Sequence, residues 1–142
     1  MKINRTASAA WSGGLKDGKG SISTESGALA AYPYGFAARF EGKKGTNPEE
    51  LLGAAHAGCF TMALSAQLAA AGLTAESLAT VCSITLEKMA DGFAITESHL
   101  DLKAKVPGAT QSAFDTAVKA AETGCPVSKL YKTRITVTSE LL

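Results

Sequence analysis

The side chains with most chemistry to offer are three thiols, Cys59, Cys82 and Cys125. An odd number at wide spacing makes a poor disulfide framework, so each thiol is weighed by its own surroundings. Cys59 lies in the middle of an apolar helical run, three residues after His56, where the imidazole and the thiol are neighbours on one helix face. Taken alone, such a thiol reads more readily as inert packing, and His56 as a hydrogen-bonded core histidine, than as a catalytic pair. Cys125 precedes Pro126 and occupies the N-cap of a short helix, where free amides favour the thiolate. One buried and one reactive thiol together point to a cycling disulfide. Cys82 alternates with Ile84 and Leu86 on a strand and needs only packing to explain it. His99, on a charged strand, reads as a surface residue.

Other chemistries fail on residue type. Gly13-Gly14-Leu15-Lys16-Asp17-Gly18-Lys19-Gly20 resembles a phosphate loop until Gly20, where Ser or Thr would bind magnesium. No CxxC or HxxxH spacing supports a zinc site, so no metal and no cofactor is expected, and there is no GxSxG elbow. Fourteen Lys and Arg against thirteen Asp and Glu leave a net charge of +1, which offers no field to nucleic acid or anionic lipid. The start, Met1-Lys2-Ile3-Asn4-Arg5, carries no apolar signal segment, and the most apolar run, residues 51–64, falls short of the ~20 residues of a membrane span. A cytoplasmic protein with no membrane partner is expected.

These side chains need elements to hold them. At 142 residues the chain suits a single domain, 1–142, and a charged fraction of 19% against roughly 25% in typical domains hints at an oligomer. Residues 1–41 alternate short runs with glycines and read as hairpins. Tyr32-Pro33-Tyr34-Gly35 reads as a turn, followed by a strand over 36–40 that sets Phe36, Ala38 and Phe40 on one face and Arg39 on the other. Asn47, Pro48 and Glu50 mark the N-cap, first position and capping box of a helix running to Gly72, apolar nearly all round and therefore buried. Glu49 takes no part in the cap. A short helical piece over 74–78, strands over 81–86 and 93–106 joined at Asp91-Gly92, a Thr110-capped helix with Phe114, Ala117, Val118 and Ala121 inward, and a strand over 134–138 complete the pattern.

Tyr34-Gly35-Phe36, Arg39-Phe40-Glu41-Gly42, the continuous run from Gly45 through Thr46-Asn47-Pro48-Glu49-Glu50 to His56-Ala57-Gly58-Cys59-Phe60, Gly92-Phe93-Ala94-Ile95-Thr96 and Gly124-Cys125-Pro126-Val127-Ser128 together closely resemble the osmotically inducible protein C family, OsmC. The resemblance covers essentially the whole chain; Gly58 stands where many relatives carry Ala. It implies an α+β fold of antiparallel sheets and two long central helices, an intertwined homodimer, and a cysteine-based peroxidase of the organic hydroperoxide class. By resemblance Cys59 is the peroxidatic and Cys125 the resolving cysteine, Arg39 matches the arginine of the OsmC branch, and Glu49 matches the glutamate of the Thr-Asn-Pro-Glu motif. It also implies an external dithiol, lipoyl-type ones included, to reset the disulfide.

The chemistry fits the residues. An apolar site raises a thiol's pKa unless a cation stabilises the anion, and Arg39, held by Glu49, is that cation. Phe36, Phe40, Phe60 and Met62 make an apolar surround that favours organic hydroperoxides over hydrogen peroxide. Ten residues of helix set Glu49 roughly 15 Å from Cys59. Either Arg39 spans that gap within one subunit, or Arg39 and Glu49 arrive from the partner subunit, the arrangement the apolar helix favours. A general thiol-disulfide oxidoreductase and a non-enzymatic dimeric binding module are the alternatives.

Overall fold

The computed structural model describes residues 1–142. The fold is α+β, in two compact units, residues 1–51 and 52–142.

In the first unit, β1 (Ala7–Ser12), β2 (Lys19–Thr24) and β3 (Tyr32–Tyr34) form an antiparallel sheet in the order β1-β2-β3. The glycine-rich run that mimics a phosphate loop is the β1–β2 hairpin loop, closed by the Gly18 amide donating to the Gly14 carbonyl at 2.8 Å. Gly20 is glycine because a Cβ there would meet the Tyr34 ring at 2.4 Å and the Trp11 ring at 2.7 Å. Its absence lets those two rings come together, centroids 5.5 Å apart.

Residues 36–40 are not a strand. They form the helix α1 (Phe36–Phe40), opened by the Arg39 amide donating to the Gly35 carbonyl at 3.0 Å. Phe36 and Phe40 share a face at spacing four in either conformation, and their ring centroids lie 4.9 Å apart. The aromatic spacing therefore carried no information about the element, whereas Ala37, Ala38 and Arg39 are good helix formers. The expectation that Arg39 turns away from the aromatic face fails with the strand, since its Cζ lies 5.3 Å from the Phe40 ring centroid.

The helix α2 (Pro48–Ala70) starts in the first unit and continues through the second. Its cap is half the expected box: the Glu50 amide donates to Asn47 Oδ1 at 2.8 Å, but the Glu50 carboxylate accepts from the buried Thr46 hydroxyl instead of the Asn47 amide. It ends in a Schellman motif, with the Leu73 amide on the Leu68 carbonyl at 2.9 Å, the Gly72 amide on the Ala69 carbonyl at 3.0 Å, and Gly72 at φ 73°.

In the second unit, β4 (Ser77–Met89), β5 (Gly92–Lys105) and β6 (Arg134–Leu141) form a sheet in the order β4-β5-β6. It is mixed rather than antiparallel, because β6 runs parallel to β5 after the crossover through α3 (Gln111–Gly124) and α4 (Pro126–Leu130). The expected helical piece at 74–78 is absent; the Glu76 amide donates to the Lys105 carbonyl at 2.8 Å, so the chain is already entering β4. Thr110 caps α3 through the Ala113 amide as expected. Leu100, Leu102 and Ala104 of β5 meet Phe60, Leu64 and Leu68 of α2 and the inward face of α3 in one core.

Although α2 is apolar nearly all round, one chain buries only the stripe Gly53, His56, Phe60, Leu64 and Leu68. The opposite face is open, with Met62 77% exposed. At 23 residues, α2 is also longer than the apolar run legible in the sequence, and by length and composition alone it is long enough to cross a membrane.

Candidate active site

Cys59, on α2, and Cys125, on the N-cap of α4, lie within hydrogen-bond reach of one another. Burial pushes the Cys59 thiol up, and its hydrogen bond and proximity to Cys125 add to the rise, against a smaller opposing contribution from the Val127 amide. Burial also acts to raise Cys125, but donors outweigh it: the Cys59 thiol, the Ser128 amide and hydroxyl, and the Val127 amide together hold Cys125 below its ordinary value. Within this unit Cys125 is therefore the more readily ionised of the two thiols. Accessibility runs the other way, because Cys125 is fully buried while Cys59 is partly exposed.

His56 makes no hydrogen bond to Cys59. Its ring is fully buried and spent on two hydroxyls, Nδ1 to Ser98 Oγ at 2.6 Å and Nε2 to Ser128 Oγ at 2.8 Å, with Tyr131 packed edge-on at 5.1 Å. The hydrogen-bonded core histidine is the reading the structure supports. Burial lowers its pKa below the ordinary 6.5, so below that pH the unfolded chain takes up the proton first. Stability is therefore full above pH 6.5 and falls on acidification, and we expect the denaturant midpoint of His56→Gln to fall less than wild type across that window. Equal falls would place the acid sensitivity elsewhere.

Cys82 is half-buried on β4, its sulfur 3.3 Å from Ser98 Oγ, and burial pushes its thiol up despite that bond. A protonated thiol with a neutral partner fits the packing role. Cys82→Ala should keep full turnover and lower stability by about 1 kcal/mol for so small a lost volume, read from urea midpoints. A large loss of turnover at unchanged stability would contradict this. His99 is more than a surface residue: its Nδ1 bonds Thr136 Oγ1 at 2.6 Å across β5 and β6.

In the first unit, Arg39 and Glu49 form a forked pair: Nε lies 3.1 and 3.2 Å from the two carboxylate oxygens and Nη2 lies 2.6 Å from Oε1. The glutamate outside the cap is the one that holds the arginine, and its side chain is only 12% exposed. Arg39, Phe36 and Phe40 line a cavity of about 210 Å³ together with Trp11, Leu15 and Tyr34. Two of the four expected apolar residues are thus at the arginine. Phe60 is instead fully buried in the core of the second unit, and Met62 lies on the open face of α2.

The sequence assigns no site role to Ser98 and Trp11, nor to Tyr34 and Ser128, which enter only as parts of the family motifs. Ser98 had a signal, since it shares the inward register of Leu100, Leu102 and Ala104, where a polar side chain must find a partner. Ser128 follows Cys125 by one helical turn. Trp11 had none, because nothing local announces that a hairpin tryptophan will pack at a tilt against Tyr34. No group of three His, Cys, Asp or Glu side chains gathers where a metal ion could be held.

The family model described as OsmC-like protein matches residues 41–140. The chain is 51% identical to the Escherichia coli protein named Peroxiredoxin OsmC over 141 residues, 99% of each chain. It is 33% identical to an organic hydroperoxide resistance protein of Xanthomonas axonopodis pv. citri over 101 residues, 70% of this chain and 69% of the relative. Among solved structures, the organic hydroperoxide resistance protein OhrB of Bacillus subtilis superposes with a TM-score of 0.69 at 27% identity, covering 96% of this chain and 98% of its own. The chain, with its paired thiols and its forked arginine, belongs to the OsmC-like protein family.

Proposed function

We propose that this peroxidase reduces organic hydroperoxides, and hydrogen peroxide less well, to alcohols and water through a Cys59–Cys125 disulfide. The observation that carries the reading is the direct contact of an accessible thiol with a buried one of lowered pKa. Cys59 as thiolate attacks the outer peroxide oxygen; the O–O bond breaks, the alkoxide leaves and takes a proton, and Cys59 becomes a sulfenic acid. Cys125 then displaces the hydroxyl as water and closes the disulfide. An external dithiol, lipoyl-type or otherwise, restores both thiols by exchange.

Cys59 needs a cation, because burial and Cys125 both oppose its ionisation. Arg39, oriented by Glu49, supplies that charge and a donor for the peroxide oxygens, and the apolar cavity beside it suits the organic part of the substrate. The catalytic set is Cys59, Cys125, Arg39 and Glu49, in one peroxidase domain over 1–142 acting as a cytoplasmic homodimer. The open apolar face of α2 supports the dimer, and the helical distance from Glu49 to Cys59 supports a site whose arginine and glutamate come from the partner. The names of the relatives support the peroxide chemistry.

Following thiol loss on addition of cumene hydroperoxide, and separately on addition of a disulfide substrate, tests the reading. Fast loss with the hydroperoxide alone is expected. Loss only with the disulfide would make the chain a thiol-disulfide oxidoreductase, and loss with neither would make it a binding module.

A further inference from the structure

We propose that His56 is a positioning residue for the second chemical step, acting through the Ser128 hydroxyl on the Cys125 sulfur. The inference rests on the two-cysteine reading above and assigns that reading two residues it does not include.

The hydrogen-bond directions follow from counting protons. A thiolate accepts only, and Ser128 stands one helical turn after Cys125 on α4, so when Cys125 is ionised the Ser128 O–H is the hydroxyl proton available to its sulfur. The Ser128 oxygen then accepts from His56 Nε2–H, 2.8 Å away. A neutral imidazole has one N–H, which leaves Nδ1 bare; Ser98 Oγ, 2.6 Å away, donates its one proton to it and accepts from the Cys82 S–H, 3.3 Å away. Burial keeps the ring neutral, both its partners are uncharged hydroxyls, and Tyr131, tied to the Leu52 carbonyl at 2.8 Å, packs against its plane. Every group in the run from Ser98 to the Cys125 sulfur then has its proton placed.

That order matters for Ser128, because a serine in a first helical turn otherwise spends its proton on nearby backbone. The imidazole fills the acceptor side of the hydroxyl and leaves its proton for sulfur. In the step itself, the Cys125 thiolate attacks Cys59 Sγ, the S–S bond forms and the Cys59 S–O bond breaks. The bonding pair leaves with oxygen as hydroxide, which takes up the proton given up by the Cys125 thiol and departs as water. The oxidising equivalents come from the peroxide already consumed. Ser128 touches a reacting atom; His56 acts through it.

Single-turnover mixing of the reduced full-length protein with one equivalent of cumene hydroperoxide separates the two steps, as hydroperoxide consumed and as disulfide formed after acid quench. In Ser128→Ala and His56→Leu, consumption should stay within about twofold of wild type while disulfide formation slows at least about tenfold. His56→Gln, whose amide keeps a donor toward Ser128, should recover disulfide formation to within about threefold, which a role in packing alone would not predict. Ser128→Ala removes one oxygen and guards against a folding failure at the buried histidine. Disulfide formation at the wild-type rate in Ser128→Ala, or His56→Gln as slow as His56→Leu, overturns the proposal while leaving the two-cysteine reading intact. A wild-type protein that consumes hydroperoxide without forming the disulfide overturns both.

Discussion

Cys59→Ser is expected to bring cumene hydroperoxide turnover down to the background of the buffer, a loss on the order of a thousandfold or more, because a serine hydroxyl supplies almost no anion near neutral pH. The substitution exchanges sulfur for oxygen at a half-buried position and leaves the core residues Phe60 and Leu64 in place, so folding should be kept and circular dichroism should match wild type. Cys125→Ser behaves differently. Its first attack proceeds, the sulfenic acid on Cys59 finds no second thiol, and excess peroxide drives it to sulfinic acid, seen as added oxygen on the Cys59 peptide. Retained turnover in Cys59→Ser would remove that residue from the chemistry.

Arg39→Lys should slow peroxide reduction by at least about tenfold, although it keeps the charge. The guanidinium makes three close contacts with the Glu49 carboxylate, and an ammonium cannot keep that fork while offering a donor to sulfur and peroxide. The loss should appear in the second-order rate of Cys59 oxidation and leave disulfide closure unchanged. Near wild-type oxidation would take Arg39 out of the site. Co-expression of Cys59→Ser with Arg39→Ala tests where the arginine acts: a mixed dimer with sites built in trans keeps one intact site and up to half the wild-type activity, and a folded mixed dimer with none excludes that sharing.

Much of this was legible in the sequence wherever a local rule has one outcome. Asn47-Pro48 starts a helix because Asn favours the N-cap and Pro the first helical position, and Pro126 at the first position of α4 places the Cys125 thiol on an N-cap. Where a pattern fits two periods, the sequence could not decide. Phe36 and Phe40 lie on one face of a strand or a helix alike, so the pattern fits a strand that would turn Arg39 away from the aromatic face, whereas the segment is the helix α1. Nor does a strand's own pattern say whether its neighbour is parallel: β6 lies along β5 because the crossover through α3 and α4 returns it in the same direction. The candidate site divided similarly. Thiols and charged residues advertise themselves by type, whereas Ser98 and Ser128 gain meaning only when packing sets them on the two nitrogens of one buried imidazole.

The most direct measurement is the mass of the reduced protein after one equivalent of cumene hydroperoxide, followed by peptide mapping without reductant. The account predicts the loss of two hydrogens, a linked pair of peptides containing Cys59 and Cys125, free Cys82, and one equivalent of alcohol released. Linkage through Cys82, or stable oxygen on Cys59 with Cys125 still free, would contradict it.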